Sequence, residues 1–371
     1  MVSPNVRRWG VHALRIAVTA AAVVLVVRMI RWDDHWSVLH AGKKVTTHDL
    51  GRIRDVRKIS DEEVRIEWAD GTQTTAKDAR RQSGFFSLFE RTNKRLFFGI
   101  MLAFLLPLYV LALRWWVLLR GHGFPARLGQ VFFINYAGTF FNNFLPGAVG
   151  GDLTKAILAA TGEERKATIA GTVILDRLIG LAVMIVLAAA CMTPYVGRFP
   201  DKRLVWLVYG LLGALVLGYL LYFSAPVRWL VSRLPFRKTV EEIDGVFRAA
   251  AEKKALVAKA AGLSLISQAT WILMIYGLAR AMGVAGADLW MFFIFEPIIF
   301  IVTALPISVG GWGVQEYMYE QLFSQFGGVD RNEAIALSIL YKLCLILVSI
   351  PGGILFAMGA TRKPAASRPP G

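Results

Sequence analysis

The stretch NNFLPGAVGGDLTK, residues 142–155, shares its Leu-Pro-x-x-Val-Gly-Gly core with TALPISVGGWGVQE, residues 303–316. Proline removes a backbone donor and stops a helix, while paired glycines let the chain turn and let another group come close. Both copies interrupt apolar stretches, at 128–146 and 289–315. Irregular backbone at membrane depth is tolerated only where it is buried in protein or lines a wet cavity. Close helix packing through small residues is the plainer use of such glycines. The recurrence of the break, each time followed by acidic and polar groups, favours a binding site.

The rest of the chain reads as membrane protein. Of its 371 residues, 56% are hydrophobic and 18% charged, and the mean hydropathy of +0.50 excludes an ordinary soluble domain. About 20 apolar residues cross the hydrocarbon core as a helix, and runs at 11–30, 96–119, 168–193, 204–223, 257–281 and 334–358 reach that length. The formal charge of +16 gathers beside these runs with no folded basic domain behind it. Anionic membrane lipids, not nucleic acid, are therefore the expected partners. Cys191 and Cys344 both fall within spans and indicate neither a disulfide framework nor a zinc site. No metal or cofactor is expected.

Positive charge in short loops sets sidedness. Arg7 and Arg8 at one end, and Arg362, Lys363 and Arg368 at the other, place both termini in the cytoplasm, with a basic connector between the halves on the same side. Parity then makes 128–165 enter and leave from the cytoplasm and 289–327 from outside. The expected fold is an all-α polytopic membrane protein, with about six spanning helices and two re-entrant hairpins. Eight full spans are the alternative, and Arg198, Lys202 and Arg203 on the supposed outer side count against six.

The expected domains are an uncleaved anchor helix at 1–30, a small extracytoplasmic β module at 31–95, a first membrane repeat at 96–223, a cytoplasmic connector at 224–256, a second repeat at 257–360 and a disordered tail at 361–371. The β module rests on the alternation of Val64, Ile66 and Trp68 before Asp70-Gly71, a hairpin signal. Its His35, His40 and His48 have no familiar metal-site spacing. In the connector, Val240, Ile243, Phe247 and Ala250 make one greasy helix face, suited to lying on the inner leaflet.

Shifting the sequence by 160 residues aligns 120–151 with 280–311 without a gap, and eleven of 32 positions are identical. Arg120 pairs with Arg280 and Gly123 with Gly283, and after a five-residue slip Arg177 falls opposite Lys342. Because charge puts the hairpins on opposite sides, the halves form an inverted repeat, the architecture of alternating-access transporters. A duplication that merely stabilises the bundle is the alternative.

Candidate substrate-binding residues cluster at the breaks: Pro146, Gly150 and Gly151 in the first, Pro306, Gly310 and Gly311 in the second. Asp152 stands where a short helix at 153–160 would be capped, and Lys155 in its first turn would attract a lipid phosphate. Asn135, Asn142, Asn143, Glu296, Gln315 and Glu316 lie among apolar neighbours, where polar groups face a cavity or one another. Asp176 and Arg177 fall in mid-span, and Arg177 is expected to meet Glu316 or a lipid phosphate, with Lys342 its counterpart.

The run Asn142-Asn143-Phe144-Leu145-Pro146 through Gly150-Gly151-Asp152, then Asp176-Arg177-Leu178, then Pro306 with Ser308, Gly310-Gly311, Gly313 and Glu316, resembles the flippase-like membrane family named after the transmembrane half of lysylphosphatidylglycerol synthase. The likeness covers roughly residues 95–360. It implies a bacterial or archaeal multi-pass protein associated with lipid translocation or polyprenyl-linked sugar pathways, and it adds Ser308 and Gly313 to the candidate site. Bifunctional members of the family carry a cytosolic aminoacyl-transfer domain. This sequence ends at Gly371 after a short Pro-rich tail, so that activity is not expected, and the β insert lies outside the pattern.

The leading expectation is a flippase or lipid-headgroup transporter in the bacterial plasma membrane, moving a phospholipid or polyprenyl-phosphate-linked lipid between leaflets. A membrane-embedded transferase using Asp152, Asp176 and Glu316 is one alternative, although no paired-carboxylate or histidine motif supports it. A scaffold whose β module recruits an extracytoplasmic partner is another. A homo-oligomer is compatible with each.

Overall fold

The computed structural model describes five strands between residues 35 and 82, and then residues 85–144, 149–198, 202–222, 224, 237–305 and 310–358. The alternating Val64, Ile66 and Trp68 lie in β4 (Glu63–Trp68), which pairs antiparallel with β5 (Gln73–Gln82) on either side of Asp70-Gly71. With β1 (His35–His40), β2 (Lys43–Thr46) and β3 (Ile53–Lys58) they form a five-stranded antiparallel sheet in the order β2-β1-β5-β4-β3.

Everything described after the sheet is helical. A short α1 (Phe85–Arg91) precedes α2 (Lys94–Ala103), whose first donors are satisfied when Asn93 accepts the Leu96 N–H at 3.1 Å. Through Phe104 the chain continues into α3 (Leu105–Gly121). Next come α4 (Leu128–Phe144), α5 (Val149–Ala160), α6 (Lys166–Met192) and α7 (Arg203–Tyr222). After α8 (Arg237–Glu252) the second half runs through α9 (Lys254–Met282), α10 (Leu289–Ala304), α11 (Val314–Tyr319), a π-helical segment Glu320–Phe326, and α12 (Arg331–Ala357).

Among the described residues, five helices can cross a membrane by length and composition: Lys94–Gly121, Lys166–Gly197, Arg203–Tyr222, Lys254–Met282 and Arg331–Ala357. They match five of the six apolar runs. The sixth run, at 11–30, lies outside the described residues, as does the tail at 361–371. The protein is an all-α polytopic membrane protein apart from its sheet.

The packing follows the internal repeat. α3 lies along α9, and the shifted copies exchange partners: α4 packs on α12, and α10 packs on α6. The first of these crossings is close, because a Cβ on Gly352 would stand 2.6 Å from the Tyr136 carbonyl oxygen. Tyr136 Oη also donates to the Val348 carbonyl. Both α6 and α12 have 27 residues and are displaced by 165, the offset that sets Arg177 opposite Lys342. The equivalent Gly123 and Gly283 end α3 and α9 with φ of +83° and +70°, a conformation that costs a side-chain-bearing residue about 1–2 kcal/mol.

One expectation is corrected here. Part of the greasy face of α8 is turned onto protein. Val246 and Ala250 are buried with Leu118, Leu175, Ile179 and Ala260 of α3, α6 and α9, and Val246 packs so closely on Gly171 that a Cβ there would approach its Cγ2 to 3.0 Å. Of the expected stripe, Ala250 is buried and Phe247 partly buried in this cluster, and the small residue in α6 lets α8 come close. At the edge of α8, burial pushes the Asp244 carboxyl up, but hydrogen bonds from Arg248 and Tyr222 outweigh it and hold the group below its ordinary value.

Candidate functional site

The two interruptions end at one cavity of about 290 Å³, lined from both repeats by Asn142, Asn143, Asp152, Lys155, Arg177, Gly310 and Lys342, and also by Arg114, Asp176 and Glu296. The breaks themselves meet: a Cβ on Gly310 would lie 2.6 Å from the Asn143 carbonyl oxygen, so the last residues of α4 and the turn after α10 touch directly.

Each wall is set by local sequence. In the first half, α4 and α5 pack against one another at Gly138 and Gly151, and Asn142 Oδ1 accepts the Gly151 N–H at 2.7 Å. That bond explains a second correction. α5 begins at Val149, with Gly150 and Gly151 already helical, so Asp152 lies inside the first turn and is not the cap of a helix at 153–160. The orphan amide at Gly151 is satisfied by a side chain of the neighbouring helix, which frees Asp152 to turn toward the cavity. Its Oδ2 accepts from Arg177 Nη1 at 2.5 Å, and its Oδ1 stands 3.7 Å from Lys155 Nζ. Arg177 therefore pairs with Asp152 and not with Glu316.

In the second half the interruption is longer. Residues 145–148 separate α4 from α5, whereas residues 305–313 separate α10 from α11. The five extra residues account for the slip in the repeat. Gly310, Gly311 and Gly313 all have positive φ, at +56°, +75° and +79°, and the helix starts only after them. The two Gly-Gly pairs are thus equivalent in sequence but not in structure. Glu316 folds back to accept the Gly313 N–H at 2.6 Å, and neither it nor Gly311 or Gly313 is among the cavity-lining residues. Pro146, Pro306 and Ser308 lie outside the described residues.

Lys342, only 3% exposed, donates to the Gly310 carbonyl and sits 5.3 Å from the Trp312 ring. Among the described residues no carboxylate stands within salt-bridge distance of it. Asn143 Nδ2 donates to Ser349 Oγ at 2.9 Å, fastening the end of α4 to α12. Tyr319 donates to Glu296 at 2.5 Å. Gln268 uses its amide nitrogen on the Gly180 carbonyl at 2.7 Å and on Ser264, while its Oε1 is buried without a partner among the described residues.

Arg114 is the residue that sequence reading passed over. Hidden in the apolar run at 96–119, it makes a two-pronged pair with Asp176, Nε to Oδ1 at 2.6 Å and Nη2 to Oδ2 at 2.9 Å. Its third donor, Nη1, reaches Ser264 Oγ at 2.9 Å. The one signal in the sequence was Asp176 itself, since a carboxylate in mid-span demands a cation. With that demand met by α3, Asp176 holds the wall while Asp152, Lys155, Arg177 and Lys342 remain at the cavity surface.

A test of the first wall follows. A Cβ on Gly151 would collide with the Gly138 carbonyl and with Asn142, so Gly151→Ala is expected to lower stability by about 1–3 kcal/mol through overpacking. Gly210→Ala in α7, where nothing lies within 4 Å, is expected to leave it unchanged or raise it. Thermal unfolding of the purified protein in detergent compares the two.

This arrangement defines a class: a polytopic membrane protein whose two repeated halves each present an interrupted helix pair to a shared, charged cavity. A family model described as the lysylphosphatidylglycerol synthase TM region matches residues 81–352, and the chain belongs to that family. The match starts before and stops short of the span of resemblance at 95–360, and it includes every candidate site residue. No curated protein sequence matches the chain.

Proposed function

We propose that the protein transports a lipid or lipid headgroup between leaflets, with the cavity as the place where the headgroup is held. The observation that carries this reading is the convergence of Arg177 and Lys155 from one repeat and Lys342 from the other on a single cavity of about 290 Å³ between the two breaks. That volume is near the lower limit for small-molecule pockets and suits a headgroup whose acyl chains stay outside. The cations suit a phosphate, which argues for a phospholipid or polyprenyl-phosphate-linked substrate. Family membership supports a role in lipid modification or transport. The reading includes the orientation inferred from charge, with re-entrant hairpins, both termini cytoplasmic in a bacterial inner membrane, and the sheet outside, where it is free to meet a partner or a second copy.

The test is a reconstituted assay. Proteoliposomes carrying fluorescent phosphatidylglycerol are scored for the rate at which label moves between leaflets, and the lipid is then analysed chemically. Movement of unaltered lipid is expected; an altered lipid would favour a transferase. Arg177→Gln is expected to slow movement about tenfold, the loss of one charge-assisted bond, and Arg177→Lys to recover part of it by keeping charge without the fork. A normal rate in Arg177→Gln would remove the headgroup role.

A further inference from the structure

A second cavity, of about 430 Å³, lies apart from the first, where the loop after α3, the start of α6 and helix α8 come together. Arg120, Arg165 and Lys253 line it, against the single carboxylate of Glu242. Each cation is held by a neutral group. The Arg165 guanidinium lies 4.4 Å over the Phe124 ring, and that of Arg120 lies 5.5 Å from the Trp116 ring. Lys253 Nζ donates to the Gly121 carbonyl at 2.7 Å. Among the described residues none of the three is in a salt bridge.

His122 closes the floor between two carbonyl oxygens, with Nδ1 2.8 Å from that of Leu118 and Nε2 3.2 Å from that of Val246. One ring N–H is spent on one of these two carbonyls, and the ring brings no negative charge to the cavity.

Gathering three cations around one carboxylate leaves an unrelieved positive potential, and a concave wall focuses it. Stacking a guanidinium on an aromatic ring fixes its plane while leaving its edge N–H groups free to donate, the geometry that matches phosphate oxygens. Arg120 and Gly123 recur in the second repeat as Arg280 and Gly283. The helix that closes the cavity, α8, lies between the repeats and belongs to neither, so the site is a property of the first half alone.

We propose that this cavity binds a phosphate group, brought either by a soluble phosphate or by an anionic phospholipid headgroup. The site is separate from the transport cavity, and its occupancy does not depend on the transport reading. Equilibrium binding to the full chain in neutral detergent, with radiolabelled inorganic phosphate and with dihexanoyl phosphatidylglycerol, tests it, dihexanoyl phosphatidylcholine serving as the control. The combined Arg120→Gln and Arg165→Gln variant is expected to bind at least one of the two anions about 100-fold more weakly, roughly tenfold for each charge-assisted hydrogen bond removed. Gly210→Ala in α7, which lines neither cavity and has nothing within 4 Å, is expected to leave that binding unchanged.

Loss confined to phosphatidylglycerol identifies a lipid source, and loss of inorganic phosphate binding identifies a soluble one. The proposal is overturned if neither anion binds, if the double variant binds both as the native chain does, or if Gly210→Ala weakens binding as much. Should the double variant fail to fold, Lys253→Gln and the charge-keeping Arg165→Lys decide the matter. The first is expected to weaken binding and the second to retain most of it, and equal behaviour of the two overturns the proposal.

Discussion

Arg114→Gln is expected to destabilise the folded protein by about 3–5 kcal/mol, because it leaves the Asp176 carboxylate buried with no cation. Arg114 is 4% exposed and Asp176 5% exposed, so only the cavity side offers water in place of the missing partner. The guanidinium also binds Ser264, and one side chain thereby ties α3, α6 and α9 together around the cavity wall. Removing both charges is expected to be much milder: Arg114→Leu combined with Asp176→Leu should recover most of the stability, since an apolar pair of similar volume avoids the desolvation that the ion pair has to overcome. Thermal unfolding of the purified variants gives the answer. An Arg114→Gln protein as stable as the native chain would show that the pair does not hold the bundle.

The second large effect is on transport. Lys342→Gln is expected to slow lipid movement about tenfold to 100-fold, through loss of the charge that faces the cavity from the second repeat. The fold should survive it, because a glutamine amide can still donate to the Gly310 carbonyl. Lys342→Leu removes the donor as well and is expected to lower stability by about 1–3 kcal/mol, the penalty for a buried carbonyl left unpaired. Rate and thermal stability measured together separate the roles. If Lys342→Gln transports normally while Lys342→Leu is unstable, the lysine serves the turn and not the substrate.

Much of this was legible in the amino-acid order. Spans declare themselves because bilayer thickness fixes the length of an apolar run, and α6 and α12 fall where the runs at 168–193 and 334–358 put them. The repeat was legible because duplication leaves identities such as Gly123 and Gly283, whose left-handed backbone preserves glycine at both positions. Partners across the bundle were not legible. Nothing local to Arg177 selects Asp152 over Glu316; the choice depends on α5 starting one turn early, and that depends on Asn142 of another helix reaching Gly151. Glycines in sequence signal only conformational freedom, which packing can override in favour of a helix when a close neighbour leaves room for nothing larger. The same limit hid the fate of α8, whose amphipathic stripe fits a leaflet or a protein surface equally well until Gly171 is seen opposite Val246.

The unequal length of the two interruptions reaches further than the repeat alignment. A faithful duplicate would enclose its cavity between mirror-like walls, and a bound molecule could be turned end for end without penalty. Here one wall is a helix carrying Asp152 and Lys155, and the other is a glycine turn whose Gly310 carbonyl is engaged by Lys342. The five additional residues therefore make the two flanks of the cavity unlike: Asp152 joins Lys155 and Arg177 in an ion-pair cluster on one, and a lysine tied to a backbone carbonyl stands on the other. Deleting five residues from 305–313 would equalise the two interruptions in length, and with it the two flanks of the cavity.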